Sequence, residues 1–209
     1  ISEATKIFEL LNDRGKRLTK LEGIKSYMMY RIGCLNLKDD GEQSINRIQE
    51  NISKIYRLIE KYDIEEADVL RYHTIAFENC KNSDYNSPEY FIKDKVNSMF
   101  DTHQEDFIIK DEILNYIERL QESFIIFKEI KENSMKSKEL DDLEMIGRIA
   151  PFYPLMMHIY KYNNDKFNKF ISSLTKFTFR ATLIGLRNDN ESFYSYIRNL
   201  HYSHLNDTY

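Results

Sequence analysis

The residues of this chain whose types and spacing could do chemistry lie close together near its start. Asn12, Arg14 and Lys16 are polar or cationic, and Gly15 stands between the two cations. A guanidinium group can give a phosphate two parallel hydrogen bonds, and the amides at the start of a helix add positive potential beside it. The pattern predicts either a phosphate-binding turn or a capped connection between two helices with solvated charges.

Two predicted helices position this turn. Apolar residues recur at helical spacing over 2–13, and Gly15 suits the left-handed conformation that ends many helices. Thr19 is followed three residues later by Glu22, the pattern of a capping box. The second helix is therefore predicted to start at Thr19 and to extend to about Ile32.

Other reactive residue types lack partners at the required spacing. His201 and His204 stand three apart, but a catalytic zinc site needs a third ligand, and no such pattern lies nearby. Cys34 and Cys80 have no adjacent histidine or basic run that would lower a thiol pKa. Residues 40–44 lack the alternating ligands of a calcium loop and are predicted to be a loop at a helix start. We therefore predict no catalytic residue and no metal site.

The whole pattern predicts an all-α fold, an irregular multi-helix bundle of about 8–10 helices. Three prolines and six glycines among 209 residues favour long helices over short strands. Another helix is predicted to start at Ser87, with Pro88 in its first turn. Further helices are predicted over 42–62, 64–80, 106–132, 139–147, 151–162, 164–186 and 190–202.

A polar stretch at 133–138 is the predicted linker. It divides the chain into a first helical subdomain, 1–134, and a second, 135–209, unless the two form one continuous domain. Residues 1–31 and 161–209 each carry seven basic against four acidic residues, within a net charge of −4. Basic ends around an acidic middle indicate either a phosphate-facing surface near the termini or ordinary solvated helix faces.

The composition also bears on the cellular compartment of the protein. Two isolated cysteines give no disulfide framework, as expected in a reducing cytoplasm. No apolar run reaches the length of about 18 residues that spans a bilayer. Because Ile1 begins within a helical pattern, we expect a fragment of a longer cytoplasmic protein.

Two stretches resemble one bacterial family. Ile7-Phe8-x-x-Leu11-Asn12-x-Arg14-Gly15-x-x-Leu18-Thr19, followed by Ile24-Lys25-Ser26, resembles a block of the proteins with a ParB-like amino-terminal domain in GmrSD-type, modification-dependent restriction systems. Phe177-Thr178-Phe179-Arg180-Ala181-Thr182-Leu183-Ile184-Gly185-Leu186 is similar to a late helix of that family. The two stretches bracket nearly the whole chain, although the detailed match covers about thirty residues.

The resemblance implies a phage-defence protein that acts on foreign DNA. In that family an Asp-Gly-Gln-Gln-Arg motif tied to nucleotide hydrolysis precedes the block, and a nuclease domain commonly follows it. This sequence shows neither feature. Asp40-Gly41-Glu42-Gln43 is not that motif, because it follows the block and lacks the arginine. The resemblance thus implies a helical region that connects the two activities, inert alone. Asn12, Arg14 and Lys16 would border the nucleotide or DNA phosphate site. The fragment would hold no cofactor itself.

The implied partners are the upstream ParB-like domain, the downstream nuclease domain and DNA, with no membrane. A nucleoside triphosphate and a divalent metal would belong to the parent protein. The alternative is a stand-alone helical interaction or regulatory module without catalysis, in which the turn near Gly15 is only a connector.

Overall fold

The computed structural model describes residues 19–37, 40–78, 80, 84–134, 137–147, 149–185, 194–197 and 199–200. Across these residues the chain forms eight α-helices and no strand, which confirms the prediction of an all-α multi-helix bundle. The helices are α1 (Lys20–Gly33), α2 (Asp40–Tyr62), α3 (Glu66–Phe77), α4 (Pro88–Asp101), α5 (Asp106–Ser134), α6 (Lys138–Met145), α7 (Tyr153–Tyr162) and α8 (Phe167–Leu183). Short 3-10 turns precede α4, α7 and α8, and residues 194–197 and 199–200 are also helical.

The first turn of α1 is closed by the capping box that its sequence predicts. The backbone N–H of Glu22 donates to the Thr19 hydroxyl at 3.2 Å, and the N–H of Thr19 donates to the Glu22 carboxylate at 2.8 Å. Two of the amide groups that a helix start leaves unpaired are satisfied in this way. The side chains that α1 buries recur every three or four residues: Leu21, Ile24, Met28 and Ile32.

Helix α2 begins earlier than the sequence pattern indicates. Residues 40–44, predicted to be a loop, form its first turn. The Asp40 carboxylate accepts a hydrogen bond from Lys110 Nζ of α5 at 3.0 Å, and the Ser44 hydroxyl donates to the Asp40 carbonyl. An acidic residue in the first turn also interacts favourably with the helix dipole. The ion pair to a distant helix and this dipole interaction both stabilise the first turn of α2.

The core is organised around α5, which spans 29 residues. Helices α2, α3 and α7 pack along it, while α1 packs against α2 and α4. Three aromatic rings from α3, α5 and α7 meet in this core: Tyr72 lies 5.9 Å from Phe127 and 5.3 Å from Tyr153, measured between ring centres. One hydrophobic cluster extends from Leu21 to Leu174 and thus includes side chains on both sides of the predicted boundary at 134/135. The division into two subdomains stays a prediction.

One other predicted boundary is corrected, and the helix start predicted at Ser87 is confirmed without a side-chain cap. Helix α5 continues through Ser134, so the start of the predicted linker is helical. The Ser87 side chain makes no capping hydrogen bond; instead its backbone carbonyl accepts from the amides of Tyr90 and Phe91. At the end of α8, Gly185 adopts a φ of 64°, a conformation that glycine adopts with little strain.

No helix in the described part of the chain combines the length and the apolarity required to cross a membrane.

Candidate functional site

The predicted phosphate-binding residues lie outside the described part of the chain. These are Asn12, Arg14 and Lys16, together with the turn residue Gly15. The predicted helix over 2–13 and the residues His201 and His204 also lie outside it. Of the predicted turn and cap residues, Thr19 and Glu22 are described, and both act at the start of α1.

The start of α1 is held from two sides. The backbone N–H of Leu21 donates to the carboxylate of Glu66 in α3 at 2.8 Å. Lys20 Nζ lies 3.4 Å from the carboxylate of Glu89 in α4. Because an amide in the first turn has no partner within its own helix, Glu66 acts as an additional cap supplied by tertiary structure. Both contacts fix the position at which the segment before Thr19 joins the bundle.

The densest group of ionisable side chains lies elsewhere, between α3, α4 and α5. We name it the Glu78 cluster, and its members are His73, Glu78, Lys95, Glu112, Arg119 and Ser123. The Glu78 carboxylate is 2% exposed and accepts from Lys95 Nζ at 3.0 Å. Both Lys95 and Arg119 also donate to the carboxylate of Glu112, at 2.8 and 3.1 Å. Two carboxylates are therefore balanced by two cations. Of these four side chains, Lys95, Arg119 and Glu112 reach solvent, and Glu78 does not.

A chain of hydrogen bonds orders the buried side of this cluster. The distance between His73 Nδ1 and the Ser123 hydroxyl oxygen is 2.8 Å, and the Ser123 hydroxyl lies 3.0 Å from the Arg119 carbonyl. If the hydroxyl donates to the carbonyl, it accepts from His73 Nδ1–H. The other ring nitrogen, Nε2, stands 3.6 Å from a Glu78 oxygen, too far for a good hydrogen bond.

The pKa values follow from burial and charge. Burial alone would raise the pKa of Glu78, but the neighbouring His73 and the charges of Arg119 and Lys95 hold that pKa well below 4.5. Burial lowers the pKa of His73 below 6.5, although Glu78 opposes the shift. Glu78 is therefore a permanent anion at neutral pH, and His73 is a neutral imidazole.

The order Ser123, His73, Glu78 has the residue types of a nucleophile relay, but its geometry does not support catalysis. Ser123 and His73 are 1% and 0% exposed, so no substrate reaches the hydroxyl. A nucleophile and its base also need a strong hydrogen bond to the acid, which the 3.6 Å separation does not give. We interpret the cluster as a structural lock that joins the end of α3 to α4 and α5.

A second polar surface lies between α1 and α4. The Tyr27 hydroxyl donates to Asn97 Oδ1 at 2.7 Å, and Arg31 Nε donates to Tyr27 at 3.1 Å. The Arg31 guanidinium lies 4.5 Å from the centre of the Phe100 ring, within the range of cation–π attraction. These groups satisfy one another, and the neighbouring Asp94 and Asp101 are exposed. The surface thus lacks the dense positive charge of a nucleic-acid site.

Among the described residues, no group of three or more His, Cys, Asp or Glu side chains is placed to hold a metal ion. The depressions on the described surface are open to solvent: one follows the outer face of α2 from Asn46 to Arg57, and another lies beside Phe170. Neither has the enclosed, mainly apolar form of a small-molecule site.

The chain matches no protein-family model, no curated protein and no solved structure.

The sequence pattern did not reveal the Glu78 cluster. Its members are spread from position 73 to position 123 and are brought together only by the packing of three helices. The predicted helix over 64–80 contains His73, whose side chain is fully buried in the structure. The one signal in the sequence is the helical spacing of Glu112 and Arg119, seven residues apart on α5. Such a pair is too common to mark a site.

Proposed function

We propose that residues 1–209 are the helical region of a GmrSD-like phage-defence restriction protein of the cytoplasm. In this proposal the bundle connects an upstream ParB-like domain, which binds and hydrolyses a nucleotide, to a downstream nuclease domain. Asn12, Arg14 and Lys16 border the nucleotide or DNA phosphate site. The nucleoside triphosphate and its divalent metal belong to the parent protein.

The observation that supports this proposal most is the set of residue types at positions 7–19. A capped connection between two helices requires only a glycine and a capping box, which Gly15, Thr19 and Glu22 supply. Phe8, Asn12 and Arg14 exceed that requirement. Their order and spacing are those of the family block.

The anchoring of α1 fits a connecting role. The segment before Thr19 joins a helix whose first turn is bound to α3 through Glu66 and paired with α4 through Glu89. A force or displacement at that segment is passed to helices packed in the core. Such a joint suits a region that relays a change between two catalytic domains.

The proposal is tested by comparing residues 1–209 with the longer protein. We expect the 209-residue chain to show neither nucleotide hydrolysis nor DNA cleavage, and the longer protein to show both with magnesium present. Robust turnover by the short chain contradicts the proposal. A parent reading frame without an upstream Asp-Gly-Gln-Gln-Arg segment also contradicts it.

A stand-alone helical interaction module is the second candidate. It is favoured by the exposed apolar side chains at the end of α8. The reading frame separates the two candidates, since a start codon immediately before Ile1 supports the module.

A further inference from the structure

Helix α8 exposes large apolar side chains that the core does not use. Its buried side chains, Phe167, Ile171, Leu174, Thr178 and Ala181, form one stripe. On the remaining surface Leu183 and Ile184 are 70% and 73% exposed, and Phe177 and Phe179 are more than half exposed. Burying such side chains is favourable, and an apolar patch with a polar rim marks an interaction site.

The exposed side of α8 also carries all its charge, and every charge is positive. Lys169, Lys176 and Arg180 are exposed, and α8 contains no acidic residue. At about 100° per residue, these three cations fall within one narrow stripe of the helix. Phe179 and Leu183 flank that stripe on one side, and the other two apolar side chains flank it on the other. A basic stripe between two apolar rows favours a partner that is acidic and apolar.

The adjoining helix supplies that complement. The Thr175 hydroxyl of α8 lies 3.0 Å from the Glu139 carbonyl of α6, so the two helices are direct neighbours. Helix α6 carries four acidic residues and one lysine. Asp141 is exposed, Asp142 is partly exposed, and Met145, which lies between them around the helix, is 79% exposed. Among the described residues, no ion pair joins the acids of α6 to the cations of α8.

We propose that α6 and α8 form a docking surface for a second copy of this chain. In a two-fold symmetric pair each residue contact occurs twice with the roles exchanged. A surface made of an acidic helix beside a basic helix is complementary to the same surface on a second copy, because α6 of each copy meets α8 of the other. The dimer thereby buries the apolar rows of both copies. This inference does not rest on the proposed function.

The chemistry of this surface fits a protein partner. Nucleic acids use aromatic stacking and phosphate contacts. Phe177 and Phe179 beside Lys176 and Arg180 offer both. The exposed Asp141 and the partly exposed Asp142 on the adjoining α6 repel a polyanion, and this favours a protein partner over nucleic acid.

The test is sedimentation velocity of residues 1–209 across the micromolar range. We expect a concentration-dependent dimer. Charge reversal on α8 by K176E with R180E, or on α6 by D141K with D142K, should raise the dimer Kd about tenfold or more. Because the four substitutions together restore opposite charges, the combined variant should regain the dimer. K54E with R57E, on the exposed outer face of α2, is the matched control and should leave the Kd unchanged.

Far-UV circular dichroism and unfolding midpoints establish that each variant is folded. A chain that stays monomeric at every concentration overturns the proposal. A dimer that resists both charge reversals, or that the control weakens equally, also overturns it. Failure of the four-substitution variant to recover the dimer shows that α6 does not meet α8 and contradicts the proposed arrangement.

Discussion

Arg119 donates to one carboxylate oxygen of Glu78 through both Nε and Nη2, at 3.0 and 2.8 Å. Glu78 stands immediately after α3, and Arg119 lies in the middle of α5, so this pair fixes the end of one helix against the centre of the longest one. Hydrogen bonds between charged groups are stronger than neutral ones. A buried pair nonetheless pays a large desolvation cost, and its value shows mainly when one partner is lost.

Replacing Glu78 with Gln should therefore destabilise the fold strongly. The variant leaves Arg119 and Lys95 with Glu112 alone, and we expect a loss of about 3 kcal/mol in the free energy of unfolding. Urea denaturation followed by circular dichroism measures it. Glu118→Gln is the control, because its ion pair with Arg47 is exposed and should contribute less than about 1 kcal/mol. Equal losses in the two variants would contradict the structural role of the Glu78 cluster.

Stability should fall as the solution becomes acidic, in two stages. The pKa of His73 is lowered below 6.5 in the folded state, so the unfolded chain binds its proton first and stability declines below pH 6.5. The pKa of Glu78 is held below 4.5, and its contribution is lost as the pH falls further. Unfolding midpoints measured from pH 8 to pH 3 test both stages. The variant His73→Gln should flatten the first stage only, and an unchanged profile would contradict this assignment.

Loss of the α1 cap should have a smaller effect. Thr19→Ala removes the oxygen that accepts from the Glu22 amide, and such substitutions cost about 1 kcal/mol. Thr102→Ala is the matched control, since that hydroxyl donates to the Ser98 carbonyl and caps no amide. Thermal or urea unfolding measures the loss of stability in each of the two variants. A greater loss in the control would contradict the importance of the cap.

Arginine should not be replaceable by lysine at position 31. The flat guanidinium lies over Phe100 while it also donates to Tyr27 and Asn97, and an ammonium cannot reproduce that combination. We expect Arg31→Lys to lower the free energy of unfolding by about 1 kcal/mol. Arg57→Lys on the exposed face of α2 should be neutral, and a neutral Arg31→Lys would contradict the argument.

The sequence predicts those features of the fold that depend on neighbouring residues. The cap at Thr19, the buried stripe of α1 and the long α5 all follow from spacing within one helix. The start of α2 at Asp40 was missed because it depends on Lys110, seventy residues further along. The Glu78 cluster was missed for the same reason. Of the predicted site, only the cap residues Thr19 and Glu22 lie in the described part, while Asn12, Arg14 and Lys16 lie before it and stay predictions.

In the proposed function, the turn at positions 12–16 borders a nucleotide site completed by an upstream domain. The most direct measurement is the rate of nucleotide hydrolysis by the longer protein carrying Asn12→Ala or Arg14→Ala, with Arg57→Ala as the control. We predict that both variants lose turnover while their circular dichroism spectra and unfolding midpoints stay those of the unmodified protein. Normal turnover in both variants would contradict the claim.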